Sequence, residues 1–243
     1  HDAVKQDIDG LIAALDANGI DRSDGFIAAV SPGSAARLSN AYYDNDEEVV
    51  QAWAEALREE YRAITDAGLT VQIDDPSLAE SWDQINPAPS VEDYQRYIQV
   101  RIDAINTALG GINPEQVRLH LCWGSWHGPH STDIPLKDIV DNVLTVNAKY
   151  ISFEAANARH EHEWTVWREV DLPKDLVLIP GIVGHSTNVI EHPELVAQRI
   201  SRFVDIVGPD RVIASTDCGL GGRIHPSLAW AKLEALAEGA RLV

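Results

Sequence analysis

The stretch RLHLCWGSWHGPH, residues 118–130, decides the fold and the chemistry that we expect of this chain. Its first part alternates apolar and polar residues, which predicts a β-strand, and its second part is a loop rich in Gly and His. His120 and Cys122 are two residues apart, so a strand points both side chains to the same face. An imidazole and a thiol side by side at a strand end are half of a tetrahedral zinc site.

Similar short strands alternate with amphipathic helices along the rest of the chain. The pattern predicts strands over residues 26–30, 69–73, 117–122, 150–154, 176–183 and 211–215. It predicts helices over residues 2–19, 46–67, 90–109, 136–146, 161–169, 193–207 and 227–238. This alternation is the βαβ pattern of a parallel sheet, and no linker or internal repeat divides it.

Polar residues collect where the predicted strands end, at Asp74, Cys122, Glu154, His185 and Cys218. A (β/α)8 barrel, the TIM barrel, places its active site at these strand ends. An open doubly wound α/β sheet would do the same, but it would usually carry a Gly-rich phosphate loop, and no G-x-G-x-x-G motif is present. The sequence therefore predicts an α/β fold of the TIM-barrel type.

The six predicted strands are two short of a closed barrel. The chain also begins with His1 and contains no Met. We therefore expect about two βα units to precede residue 1, because a closed barrel of this type has eight strands. Residues 1–243 are then a single catalytic barrel domain that is incomplete at its N-terminal side.

Composition excludes several classes of partner. The 243 residues are 45% hydrophobic and carry a formal net charge of −19, which argues against nucleic acid and against an anionic membrane surface. No apolar run approaches the ~18 residues that a membrane helix needs. Two cysteines do not make a disulfide framework, and shared metal ligation is an alternative. We take the cytoplasm as the default location, and nothing in the sequence indicates an oligomeric state.

The metal hypothesis rests on His120, Cys122 and Cys218, with Glu154 as a possible fourth ligand. Thiolate and imidazole ligands favour zinc over magnesium or calcium. Two thiolates reduce the Lewis acidity of zinc towards water but suit it to hold a third, exogenous thiolate. The ligand set thus suggests alkyl transfer to a thiol rather than hydrolysis. The alternative stays open that both cysteines are small buried hydrophobic residues, the commonest fate of a free Cys.

Other polar residues each have a functional and a structural interpretation. His185 is a candidate proton donor or acceptor, or else a residue that binds a backbone carbonyl near a helix start. Asp74 and Asp75 could bind a substrate ammonium or act as a base, or could form an Asp-Pro turn with a helix cap. Glu80 could bind a ligand or supply a charge to a helix N-terminus.

Histidines and tryptophans outside these strand ends are less specific. Residues 159–163, RHEHE, look like a metal cluster, but His160 and His162 would face different sides of a helix, so we interpret them as a polar helix start. His127 and His130 are assigned to a substrate-facing loop of unknown role. Four Trp are expected in the core: Trp53, Trp164, Trp167 and Trp230. Three others lie in predicted loops, and we expect one of them to stack on a substrate: Trp82, Trp123 or Trp126.

Five motifs taken in order resemble the catalytic barrel of the cobalamin-independent methionine synthases. They are similar also to the short relatives of those enzymes that are called epoxyalkane:coenzyme M transferase-like. The motifs are QIDDP (72–76) with Glu80, HLC (120–122), SFE (152–154), HS (185–186), and DCG (217–219) with Arg223. The resemblance extends from about residue 26 to the end of the chain, and Asp75 departs from it because a Glu is usual there.

This resemblance implies a site and an activity. It implies that His120, Cys122, Glu154 and Cys218 hold Zn²⁺, and that His185 is the proton donor. It also implies that Asp74 contacts the amino group of homocysteine and that Glu80 lies where the folate substrate is bound.

The implied reaction is zinc-dependent methyl or alkyl transfer to a small thiol, as in 5-methyltetrahydrofolate–homocysteine S-methyltransferases. The partners are then a small thiol and an alkyl donor. An epoxyalkane:coenzyme M transferase-like addition of a thiol to an epoxide is the first alternative. A uroporphyrinogen decarboxylase-like enzyme, which needs no metal, and a non-catalytic zinc-stabilised barrel are the others.

Overall fold

A computed structural model of the chain describes residues 2–38, 40–125 and 130–243. Its centre is one sheet of six parallel strands whose spatial order equals their order in the sequence. The strands are β1 (Phe26–Val30), β2 (Thr70–Asp74), β3 (Val117–Leu121), β4 (Tyr150–Phe153), β5 (Val177–Val183) and β6 (Ser215–Thr216).

Seven α-helices and several short 3₁₀ helices connect these strands within the described residues. The α-helices are α1 (Asp2–Asn18), α2 (Pro32–Ala35), α3 (Asp46–Asp66), α4 (Val91–Ala108), α5 (Val140–Val143), α6 (Pro193–Val207) and α7 (Pro226–Ala240). The 3₁₀ helices are Arg22–Asp24, Pro76–Leu78, Glu80–Gln84, Pro114–Gln116, Leu136–Asp138, Glu161–Arg168 and Pro209–Arg211. None of the helices in this part of the chain combines the length and apolar character that a bilayer-spanning segment needs.

The strand order decides between the two α/β architectures. A doubly wound sheet reverses its strand order at a switch point, and this sheet does not. Because crossovers between parallel strands are right-handed, strands added always in one direction place all helices on one face of the sheet. The sheet therefore forms a curled half-barrel whose other face is the interior. In the described residues β1 and β6 are its edges, so the closed eight-stranded barrel stays a prediction.

Strand register aligns polar side chains on the interior face. Asp74 of β2 pairs with His120 of β3, and His120 pairs with Ser152 of β4. Because side chains alternate along a strand, the neighbouring residues Ile73 and Leu119 point to the opposite face, where both are completely buried. The interior face thus carries the polar residues, and the outer face carries the core.

The core lies between the outer face of the sheet and the helices. Phe153 of β4 packs against Trp167 and against Phe203 of α6, with ring centroids 4.4 and 5.6 Å apart. Trp167 is a core residue, as predicted. The same prediction is wrong for Trp53 and Trp230, which are 36% and 68% exposed because they lie on the solvent side of α3 and α7.

Two predicted helices are different in the structure. The helix expected over 136–146 is instead a 3₁₀ turn followed by the four-residue α5, and Asn106 of α4 binds the backbone beyond the end of α5. The Asn106 amide donates to the Thr145 carbonyl (3.0 Å) and accepts from the Asn147 N–H (2.7 Å). The segment expected to be helical over 161–169 is a 3₁₀ helix, Glu161–Arg168.

The last strand is shorter than predicted. Only Ser215 and Thr216 pair with β5 as a ladder, and Val212 adds a single bridge to Leu178. The preceding Arg211 ends a 3₁₀ turn and donates to the carbonyl oxygens of Val207, Pro173 and Lys174 (2.9–3.3 Å). These bonds fix residues 209–211 as a turn, so the ladder begins later than the apolar pattern indicates.

Candidate metal centre

Three potential metal ligands meet at the carboxyl ends of β3 and β6. One ligand atom each of His120, Cys122 and Cys218 lies within 4.8 Å of the other two. His120 and Cys122 are buried, and Cys218 is partly exposed. Both cysteines are free thiols. The strand period therefore brings His120 and Cys122 together as expected, and the fold adds Cys218 from 96 residues further along the chain.

The imidazole of His120 is oriented as a metal ligand would be. Its Nδ1 lies 3.0 Å from the Ser152 Oγ, on the next strand. Its Nε2 is buried and has no hydrogen-bond partner among the described residues. A metal-bound histidine commonly uses one ring nitrogen for the metal and the other for such a polar neighbour. A buried nitrogen without a partner is costly unless a ligand occupies the space in front of it.

The two thiols shift each other's pKa in opposite directions. The hydrogen bond from Cys122 lowers the pKa of Cys218 far below its usual value, against the effect of burial, and the same contact together with burial raises the pKa of Cys122. The Ser125 hydroxyl, 3.4 Å from the Cys218 sulfur, and His120 also favour the Cys218 thiolate. Burial opposes a charge on His120, but the thiolate outweighs it and raises the His120 pKa. This set of donors fits a divalent thiophilic cation.

Glu154 belongs to a second group beside the first. Ligand atoms of Glu154, His185 and Asp217 lie within 4.8 Å of one another, and all three residues are buried. The Glu154 Oε1 accepts from the Trp123 N–H and its Oε2 from the Asn157 side chain, both at 3.0 Å. Both oxygens of Glu154 therefore have hydrogen-bond partners within the protein, and its role as a fourth ligand stays a prediction.

Asp217 is a site residue that the sequence interpretation did not single out. Its Oδ1 accepts from the backbone N–H groups of Ala155 and Ala156, each at 2.8 Å, and its Oδ2 is buried without a partner among the described residues. Burial, together with the nearby Glu154 carboxylate, raises the Asp217 pKa well above its usual value. The signal was available in the DCG motif, where Asp217 directly precedes Cys218.

The residue before His185 is bonded to a buried ion pair. The N–H of the preceding Gly184 donates to the Glu191 Oε1 (2.9 Å), and the Glu191 Oε2 pairs with the Lys232 Nζ (2.9 Å). Lys232 of α7 is completely buried. Burial lowers the pKa of His185, while the charges of Glu154 and Cys218 act in the opposite direction. The His185 Nδ1 has no partner in the described part of the chain.

Asp74 lies on the interior face next to His120, its partner in the strand register. The Gln72 amide donates to the Asp74 Oδ1 at 2.8 Å. Burial raises the Asp74 pKa, although His120 and Gln72 oppose this. A half-buried carboxylate at this position can receive a cationic group of a ligand.

Asp75 and Glu80 differ in their surroundings. Asp75 is completely buried, and its Oδ1 accepts from the Ser77 N–H (2.9 Å), so it caps the turn that begins at Pro76, as the structural interpretation proposed. Glu80 pairs with Arg37 (2.5 Å). Gly124, at φ +86°, allows this carboxylate to approach, because a Cβ there would lie 2.5 Å from the Glu80 Oε1.

A cavity of about 220 Å³ lies between the segments that follow β2 and β3. Its lining residues are Glu80, Asp83, Gln84, Trp123 and His130. Trp123 is 2% exposed and is therefore a wall of this cavity rather than a free stacking platform. The expected roles of Trp126 and His127 fall on residues outside the described ranges.

The family described as cobalamin-independent synthase, catalytic domain, matches residues 29–241 of this chain. The chain belongs to this family. The match extends over all six strands except the start of β1, and so includes both groups of candidate ligands.

Curated relatives carry two different activities. A 2-hydroxypropyl-CoM lyase of Xanthobacter autotrophicus is 25% identical over an alignment of 234 residues, which covers 84% of this chain and 57% of the lyase. A methionine synthase of Thermococcus kodakarensis is 26% identical over an alignment of 208 residues, which covers 84% of this chain and 52% of the synthase. The chain thus spans about half the length of the relatives it matches.

Solved structures support the fold. A B12-independent methionine synthase from a Shewanella species, in complex with selenomethionine, superimposes with a TM-score of 0.67 at 21% identity, over 89% of this chain and 61% of that one. A putative vitamin-B12-independent methionine synthase of Listeria monocytogenes gives 0.63 at 20% identity, over 89% and 63%. The half-barrel is therefore similar to the catalytic barrel of these enzymes.

Proposed function

We propose that this protein is a zinc enzyme that activates a small thiol and transfers an alkyl group to its sulfur. The observation that carries the proposal is the buried His120: its Nε2 has no hydrogen-bond partner among the described residues, and one of its ring nitrogens lies within 4.8 Å of the sulfur atoms of two free thiols. With Glu154 next to them, these residues supply the nitrogen, sulfur and oxygen donors that zinc accepts in tetrahedral geometry.

The chemistry of the metal is limited to one effect. When bound, zinc would lower the pKa of an incoming thiol, so that the sulfur is a nucleophile at neutral pH. His120, Cys122, Cys218 and Glu154 would hold it.

The residues around this centre would orient the substrates and move one proton. Asp74 would bind a cationic group of the thiol substrate, and Glu80 would bind the alkyl donor. The thiol sulfur forms a bond to the alkyl carbon of the donor as the bond from that carbon to the leaving nitrogen or oxygen breaks. The leaving atom takes a proton from His185, and the proton of the thiol is released to solvent. A positioned proton donor of this kind contributes about 10²–10⁴-fold to the rate.

The relatives favour two substrate pairs, which we keep as first and second candidates. The first is methyl transfer to homocysteine from a methylfolate, since several curated relatives are methionine synthases. The second is addition of coenzyme M to an epoxide, since one relative is a 2-hydroxypropyl-CoM lyase. A metal-free decarboxylase would leave His120 and both thiols without a role, and a purely structural zinc would need no proton donor beside it.

Product formation tests the proposal. The zinc-loaded protein is incubated with homocysteine and 5-methyltetrahydrofolate, and separately with coenzyme M and epoxypropane, and the thioether is measured by mass spectrometry. We expect one pair to give product, and His185→Gln to lower the rate by about 10²–10⁴-fold. The matched control is His162→Gln, an exposed histidine whose replacement leaves the rate unchanged. Absence of both thioethers, or equal rates for the two variants, would contradict the assigned roles.

A further inference from the structure

A largely buried polar cluster lies next to Trp123, in the segments that follow β3 and β4. It consists of His130, Asp133, His160 and Glu163. The His160 Nδ1 lies 2.8 Å from the Glu163 Oε2, and its Nε2 lies 3.2 Å from the Asp133 Oδ2. The other oxygen of Asp133 lies 3.2 Å from the His130 Nδ1. The side chains of Asp133, His160 and Glu163 are only 4%, 3% and 8% exposed.

Both ring nitrogens of His160 and both oxygens of Asp133 and Glu163 have partners within or next to the cluster. The remaining oxygen of Glu163 accepts from the Leu136 N–H at 2.7 Å, so this carboxylate joins the His160 ring to the start of the 136–138 turn. Two buried carboxylates are costly to desolvate, and such a network is tolerated only when it is fully satisfied. An apolar cluster would hold two loops together at lower cost, so loop closure alone does not account for these residues.

Trp123 connects the cluster to the metal centre. Its indole ring stacks on the His160 imidazole, with centroids 4.0 Å apart and planes inclined by 22°. Its ring nitrogen donates to the Ile134 carbonyl oxygen at 2.8 Å. Its backbone N–H donates to the Glu154 Oε1 at 3.0 Å, and the residue before it is Cys122. A displacement of Trp123 therefore moves two candidate ligands.

We propose that His160 and Asp133 are positioning residues, which act on the metal centre through Trp123. His160 fixes the plane of the indole ring, and Asp133 with Glu163 fixes the plane of His160. The Trp123 N–H then holds the Glu154 carboxylate in place. The same cluster sets two walls of the neighbouring cavity, because Trp123 and His130 both line it. The inference rests on the proposed function, since it assigns a role toward the same metal.

The metal affinity of variants at His160, alone and combined with a change at Glu154, tests the inference. His160→Phe keeps an aromatic ring for stacking but removes both ring nitrogens. The dissociation constants of Zn²⁺ and Co²⁺ are measured by competition with a chromogenic chelator, together with the absorption spectrum of the Co²⁺ form. We expect His160→Phe to weaken metal binding by about 10–100-fold, the range typical for replacing a residue that supports the ligands of a metal. His162→Phe, at an exposed histidine two residues away, is the matched control and should leave both constants unchanged.

The same replacement made in a Glu154→Gln variant distinguishes a positioning role of His160 from a role in holding the loops together. If His160 acts through Trp123 on Glu154, its replacement has little effect once Glu154→Gln has weakened that contact, so the two changes are not additive. Asp133→Asn gives the same expectation with unchanged shape and serves if the Phe variant does not fold. Additive losses, or an unchanged affinity of His160→Phe, would overturn the positioning role while the wild type still binds metal. A wild type that binds neither ion would overturn the proposed function and this inference together.

Discussion

Replacement of Cys218 by Ser is expected to weaken zinc binding by more than about 100-fold, and Cys122→Ser should do the same. Replacing a residue that hydrogen-bonds to a metal ligand lowers metal affinity by about 10–100-fold, and replacing a thiolate ligand itself should lower it further. A serine hydroxyl is a poor substitute because it is harder and stays protonated at neutral pH. Zinc content after dialysis and the dissociation constant from chelator competition give the measurement.

The control for this result is a buried serine that is not a proposed ligand. Ser81 is 2% exposed, and its Oγ has no partner among the described residues. Ser81→Ala should therefore bind zinc as tightly as the wild type. Circular dichroism checks that all variants are folded. If both Cys variants retain the affinity of the wild type, the two cysteines are buried hydrophobic residues and the proposed site is wrong.

Lys232→Met is expected to lower the free energy of unfolding by about 3–5 kcal/mol, the usual cost of removing one partner of a buried ion pair. Lys232 is completely buried, and its Nζ pairs with Glu191 (2.9 Å) and donates to the Val189 carbonyl (2.5 Å). Without the cation, Glu191 is a buried charge without compensation. Urea denaturation monitored by circular dichroism measures the change.

A matched lysine and a double variant isolate this effect. Lys5 forms a pair of the same kind with Asp9 at 2.8 Å, but both side chains are more than 60% exposed. Lys5→Met should leave the stability close to that of the wild type, because exposed ion pairs contribute little. Combining Lys232→Met with Glu191→Gln removes the stranded charge and should recover part of the loss. A single Lys232→Met variant as stable as Lys5→Met would contradict the account.

The sequence was sufficient for the parallel sheet and for the two candidate ligands at the end of one strand, His120 and Cys122. Five of the six strands and the long helices α3, α4 and α6 follow from apolar periodicity and capping residues such as Ser90, whose side chain accepts from the Asp93 N–H. The side chains of His120 and Cys122 converge because a strand repeats every two residues. These features depend on residues that are close in the chain.

The features that the sequence did not indicate depend on residues far apart in the chain. His160 and Glu163 do lie at a helix start, as interpreted, but the sequence does not indicate that both are buried, with the His160 imidazole 3.2 Å from Asp133, 27 residues earlier in the chain. Glu163 turns inward with it, and the segment becomes a 3₁₀ helix. Lys232 and Glu191, 41 residues apart, leave no local pattern either, since a lysine in a helix usually indicates an exposed face.

Zinc K-edge absorption on the zinc-loaded wild type, with and without a small thiol, tests the central claim most directly. Two sulfur neighbours at about 2.3 Å are expected from Cys122 and Cys218. Addition of either homocysteine or coenzyme M should raise the sulfur count to three. A count that stays at two with both thiols would contradict thiol activation, and a protein that takes up no zinc would contradict the site itself.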